Sequence, residues 1–204
     1  MKRRVRSLVI CSIALLMLSG CVSLNSSVPF QYQPSLIAST NQINMIAGLN
    51  MLKDARPDGD ISYTKSIKDV SEKVTAKLLE DFQKSGLFKE IQYPAQADND
   101  IVISGSIDRF IWKSYASPIA FIPFVNILIY FGVPCQEAYG IAEITLEVKD
   151  NKADKLLGRF TESLKEENSY TLYNAKAGEA GAELQEAFRN VAKKLKEDIL
   201  KAVQ

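Results

Sequence analysis

The stretch 139–164 constrains the fold more than any other. Within it, Ile144, Leu146 and Val148 alternate with Glu143, Thr145 and Glu147. A period of two puts the apolar set on one side of an extended strand and the polar set on the other, so one face is buried and one is wet. That is the pattern of an antiparallel sheet. A polar turn over 149–155 leads to a second run, 156–164, and the pair reads as a hairpin. A sheet with one apolar face needs a layer to cover it.

Two segments can supply that layer. Over 67–85, Ile67, Val70, Val74, Leu78 and Phe82 recur every three or four residues. Lys68, Glu72, Lys73, Lys77, Glu80 and Lys84 occupy the other side, which predicts an amphipathic helix. Ser85-Gly86 ends it, with Gly86 suited to a left-handed C′ position. Over 179–203, Leu184, Phe188, Val191, Leu195 and Ile199 repeat the stripe and predict a second helix packed on the sheet.

The remaining strands are shorter or less regular. Residues 42–52 read as the first strand, closed by a turn over 53–60 in which Asp54 and Arg56 are placed to pair as a loop clamp. A short strand follows at 87–91, then a loop over 94–99. In 100–112, Ile101, Ile103 and Ile107 alternate with Val102, Ser104, Ser106 and Asp108, and the pattern blurs after Asp108 as a bulge makes it. The class expected is α+β: an antiparallel sheet of about four to five strands with two helices packed on one face, plus an apolar insert.

That insert is 114–136, which holds no charged residue; from Pro118 to Pro134 the only clearly polar side chain is Asn126. A helix over 118–134 would reach about 26 Å, short of the roughly 30 Å of a bilayer core, and Pro123 interrupts it early. A span is therefore not expected. Three roles are open: a segment that folds over the sheet and fills the core, a loop that enters a membrane, or a docking surface for a partner or neighbouring subunit. Aromatic residues flank it as they do at a lipid–water boundary. The candidates for membrane or partner contact are Trp112, Tyr115, Phe121, Phe124, Ile127, Tyr130 and Phe131.

The N-terminus supplies an address. Lys2, Arg3, Arg4 and Arg6 precede an apolar run over 8–18, then Leu18-Ser19-Gly20-Cys21. A basic region, a short apolar region and a small-residue exit make a secretory signal. Leu-Ser-Gly-Cys resembles the bacterial lipobox. The resemblance implies that residues 1–20 are a signal peptide and that Cys21, lipidated on sulfur, becomes the mature N-terminus. Three acyl chains there make an effectively permanent tether. In a Gram-negative host Val22 stands where an Asp would favour the inner membrane, which implies the outer membrane, with the domain facing the periplasm; in a Gram-positive host the same anchor would sit on the outer face of the only membrane. Residues 22–40, polar with Pro29 and Pro34, read as a flexible tether, and 41–204 as one domain.

Composition narrows the chemistry. The signal removes four of 25 Lys+Arg and none of 24 Asp+Glu, leaving 21 against 24, a net charge of −3. No basic block offers a footprint for nucleic acid. There is no histidine, which removes Ser-His-Asp and Cys-His nucleophiles and the commonest zinc ligands. Of three cysteines, Cys11 leaves with the signal and Cys21 is lipidated, so Cys135 has no intramolecular partner and reads as an inert buried thiol. Glu143 and Glu147 lie on a wet face, Glu166 and Glu167 in or near a loop. No phosphate loop, metal cluster or nucleophile elbow is present. The expectation is a non-catalytic chain with no cofactor or metal and no nucleic-acid partner.

The order of elements resembles the small α+β lipoproteins of the Gram-negative envelope, the YajG-like lipoproteins and, more loosely, the auxiliary lipoproteins of lipid-transport ABC systems. The first strand with Asp54-Ala55-Arg56, then Ser85-Gly86-Leu87-Phe88, 101–107 and the terminal helix carry the resemblance. It implies a membrane-anchored accessory, binding or assembly component of an envelope complex, with an envelope protein as partner. The alternative it implies is a lipid-handling or transport-auxiliary lipoprotein that uses 118–134.

Overall fold

In the computed structural model, residues 42–58, 69–174 and 181–203 are described. The signal, Cys21, the tether, the first residues of each expected helix (67, 68 and 179–180) and the end of the 53–60 turn lie outside them. Six strands form one sheet: β1 (Ile43–Leu49), β2 (Lys53–Asp54), β3 (Phe88–Gln92), β4 (Ile101–Ala116), β5 (Gln136–Asp150) and β6 (Lys155–Tyr170). Among the described residues, two α-helices of several turns, α1 (Val70–Ser85) and α2 (Ala182–Val203), accompany the sheet.

The strand order is β3-β1-β4-β5-β6, with β2 paired to β4. β4, β5 and β6 form an antiparallel meander, as the alternation predicts. The sheet as a whole is mixed, and this corrects the antiparallel expectation. β1 pairs in parallel with both β3 and β4, and β2 with β4. The reason is the connection: α1 lies between β1 and β3 in the chain, and a helical crossover returns the chain to the sheet in the same direction. The bulge falls where the pattern blurs, between Ile107 and Arg109.

α1 and α2 share one core with the sheet. Val70, Val74, Leu78 and Phe82 of α1 and Leu184, Phe188, Val191, Leu195 and Ile199 of α2 are all buried there, against Ile101, Ile103, Ile107, Ile144, Leu146 and Val148. Edge-to-face ring pairs join Phe82 to Phe88 at 6.2 Å and Phe110 to Phe188 at 6.1 Å. Gly86 closes α1 at φ 64°, the left-handed region a side chain resists. On the outer side of α1, Glu80 accepts from Lys77 at 2.9 Å and Lys84 at 2.7 Å.

Two polar features lock the helices in place. Lys196 of α2 and Asp81 of α1 meet at 2.6 Å with side-chain exposures of 8% and 0%. Glu183, buried in the first turn of α2, accepts from Trp112 Nε1 at 2.8 Å, from Asn168 at 3.3 Å and from the Tyr170 hydroxyl. Close approach makes the second possible. A Cβ at Gly140 would fall 2.2 Å from the Leu184 nitrogen, so only glycine lets the start of α2 lie on β5.

Candidate contact surface at the β4–β5 tip

Strand length places the candidate surface. β4 and β5 pair from Ile101 with Asp150 to Ala116 with Gln136, well past the start of α2 over Gly140. At about 3.3 Å per residue, the sheet runs roughly 13 Å beyond that first helical turn. Among the described residues no helix lies over this end.

The last rungs are firmly built. Ser117 N donates to the Cys135 carbonyl and Cys135 N to the Tyr170 carbonyl, both at 2.9 Å. The Gln136 amide donates to Ser114 Oγ at 2.5 Å. Beyond them, Pro118–Phe121 and Val125–Phe131 form two short 3₁₀ helices. Their turns close by Ala120 N to Ser117 O, Ile122 N to Ile119 O, Gly132 N to Ile129 O and Val133 N to Leu128 O. Between the helices, Phe124 sits at φ 65°, a region that side-chain-bearing residues rarely adopt.

The side chains on this scaffold face water. Phe124 is 91% exposed, Phe131 79%, Tyr130 66%, Phe121 65% and Ile127 57%. The core-filling role for 118–134 is thereby overturned, because the strands carry the segment past α1 and α2, the layer that covers the rest of the sheet among the described residues. The structure brings five of the seven candidates together at the tip: Phe121, Phe124, Ile127, Tyr130 and Phe131. Tyr115 lies one rung below. Trp112 stands apart, half-buried against the core with its indole nitrogen on Glu183.

Below the tip, on the face away from the helices, is an aromatic collar with paired charges. Tyr115 and Tyr139 meet edge-to-face at 6.4 Å. Lys165 Nζ stands 4.9 Å and Lys113 Nζ 6.0 Å from the Tyr139 ring centroid. The hydrogen bond from Tyr115 to Glu137 holds the phenol above its ordinary pKa, and desolvation adds to this. Lys165 pairs with Glu167 at 2.9 Å. Two ammonium groups and two carboxylates leave the collar without net charge.

Leu172 and Tyr173 join the surface although their sequence gave no sign of it. Tyr173 donates to the Tyr130 carbonyl at 2.5 Å, and both residues are exposed. They arrive there because β6 extends to Tyr170, six residues beyond its expected end. The same extension corrects the loop assignment of Glu166 and Glu167. Both lie in β6, with Glu166 accepting from Asn190 of α2 at 3.1 Å. Cys135 is half-buried rather than buried, its sulfur 3.7 Å from the Tyr170 carbonyl.

Elsewhere the charged residues do structural work. Arg56 grips Asp54 through Nε and Nη2, each at 2.8 Å, which clamps the end of β2 and lowers the Asp54 pKa. Among the described residues, no group of three or more His, Cys, Asp or Glu is arranged to hold a metal. No helix among them is long and apolar enough to cross a membrane.

No family model matches the chain, and no curated protein does. Solved structures do. Protein XCC0632 from Xanthomonas campestris, described by the family model DUF330, superposes with a TM-score of 0.51 at 10% identity, over 84% of this chain and 94% of that one. A minor lipoprotein from Acinetobacter baumannii gives 0.40 at 10% identity, over 76% and 92%. Rare lipoprotein B from Shewanella oneidensis gives 0.41 at 13% identity, over 76% and 94%. The likeness to the Xanthomonas protein shows a shared α+β fold.

Proposed function

We propose that the protein is a lipid-anchored lipoprotein of the bacterial cell envelope, held to the outer membrane through Cys21 with its domain in the periplasm. It acts there without catalysis, as a binding or assembly component, and the β4–β5 tip is its contact surface. The observation that carries this reading is the tip itself: a charge-free segment on a rigid strand pair, with five large apolar or aromatic side chains more than half exposed. Exposed apolar patches of this kind mark contacts, because an isolated soluble domain gains nothing by displaying them. The lipobox supplies the anchor, and the order of elements resembles that of the YajG-like lipoproteins.

A second reading, in which the same tip handles acyl chains, is favoured by the absence of any charge over 114–136. The test is the double variant Phe124→Asp, Phe131→Asp in the native host. Acylation and membrane retention are expected to persist, while co-purifying protein or lipid is lost. Unchanged co-purification would remove the tip from the function, and an unacylated Cys21 by intact mass would remove the anchor.

A further inference from the structure

We propose that the tip enters the lipid bilayer to which Cys21 is tethered, giving the domain a second and reversible attachment. This rests on the reading of the tip as a contact surface and names its partner as lipid.

Three features of the tip select lipid over protein. The first is its lack of directional groups. Phe121, Ile122, Phe124, Ile127, Leu128 and Phe131 carry no polar side-chain atom, the Tyr173 hydroxyl is already committed to the Tyr130 carbonyl, and over 118–134 the side chains with polar atoms are Asn126 and Tyr130. A protein interface uses about one hydrogen bond per 100–200 Å² to fix its register, and this surface has few groups to fix one with. A fluid apolar phase needs none. The second is the register behind the apolar side chains: Tyr115 shares its rung with Glu137, Tyr139 lies two residues further back with Lys113 and Glu167 on its rung, and Lys165 follows on the rung of Ile141. Tyrosine rings interleaved with balanced charges directly behind an apolar edge match the mixed polarity of the headgroup region. The third is the backbone, whose 3₁₀ hydrogen bonds satisfy much of the tip internally and suit shallow insertion.

The chain's own reach allows it. β1 begins at the end of the sheet opposite the tip. β1 begins about four residues before the level of Ile101 and β4 runs 16 residues from there, so Gln42 stands roughly 65 Å from the far end of β4, and the 21-residue path from Cys21 to Gln42 spans at most about 70 Å. The anchor and the tip can therefore meet one bilayer with the strands tilted over it. Because the collar is charge-balanced, insertion is expected to respond little to anionic lipid or to salt.

The experiment uses the full acylated protein carrying Phe124→Trp, reconstituted into phosphatidylcholine vesicles with and without brominated acyl chains. The expected result is a blue-shifted emission that bromolipid quenches, equally with or without anionic lipid. The Trp112 signal of the unsubstituted protein and a Leu156→Trp reporter at the opposite end of the sheet stay unquenched. Phe131→Trp gives a second tip reporter, and thermal melting checks that each variant is folded. Water-like, unquenched emission from both tip reporters overturns the proposal. If the tip Asp variant nevertheless strips a specific envelope protein or a second copy of the chain, the partner is protein and the contact-surface reading survives. If quenching and co-purification are both absent, the two fall together.

Discussion

Phe124→Gly separates what the tip does for folding from what it does for contact. The side chain is 91% exposed, so removing it from the isolated protein gives up almost no burial. Its backbone stands at φ 65°. Holding a non-glycine residue at positive φ costs about 1–2 kcal/mol, which glycine relieves. Glycine's greater unfolded-state entropy takes back roughly 0.5–1 kcal/mol. The net expectation is a change between neutral and about 1.5 kcal/mol stabilising. Contact behaves oppositely. A phenylalanine fully buried in an apolar phase gains about 1.5–3 kcal/mol, so its loss weakens tip association by roughly 10- to 150-fold. Thermal and urea unfolding measure the first quantity. Vesicle flotation of the non-acylated chain from residue 22 measures the second. A variant destabilised by more than about 1 kcal/mol, or one that floats as well as the wild type, refutes the reasoning.

Other perturbations test the scaffold. Lys196→Met leaves the Asp81 carboxylate buried without its 2.6 Å ammonium partner, and is expected to cost about 3–5 kcal/mol, or roughly 6–20 °C in Tm. Asp81→Leu combined with Lys196→Met should recover most of that loss, because two apolar groups of similar size replace the pair. Gly140→Ala drives a methyl group into the Leu184 backbone and should lower stability by about 1–3 kcal/mol. It should also shift the fluorescence of Trp112, the only tryptophan, as its Glu183 bond is disturbed. Acid should act through Asp54, whose pKa the hydrogen bond from Arg56 holds below its ordinary 3.8. A depressed folded-state pKa gives stability that is present above the unfolded value and lost as pH falls through the folded one. Asp54→Asn should therefore flatten the pH dependence of Tm below about pH 4 and leave it unchanged near neutrality.

The helix layer was legible because burial writes a stripe into the sequence. Each of Leu184, Phe188, Val191, Leu195 and Ile199 packs in the core, and the alternation around Ile144 to Val148 marked the hairpin and its helix-facing side, although Thr145, expected on the wet side, is buried and bonded to Asp108 and Thr161. The parallel direction of β1 and β2 was not in those patterns, since the alternation over 139–164 speaks only for its own strands. It lay in the connection, where a helix between β1 and β3 demands a crossover. Strand length was hidden for another reason. Beyond Gly140 the helix layer stops and both faces of the rungs become mixed, so alternation fades although hydrogen bonding continues to Ala116 and Gln136. The exposure of Phe121, Phe124, Tyr130 and Phe131 was illegible in principle. An apolar run reads alike whether the next layer covers it or not, and here only the overhang of β4 and β5 past α2 decides.

The most direct measurement is site-specific photocrosslinking in the native host, with a photoreactive side chain at position 124 and the same group at position 156 as the reference. The expected result is adducts with membrane lipid at 124 and none at 156. Equal labelling at the two positions, or no adduct with lipid or envelope protein at 124, contradicts a tip that works by touching its surroundings.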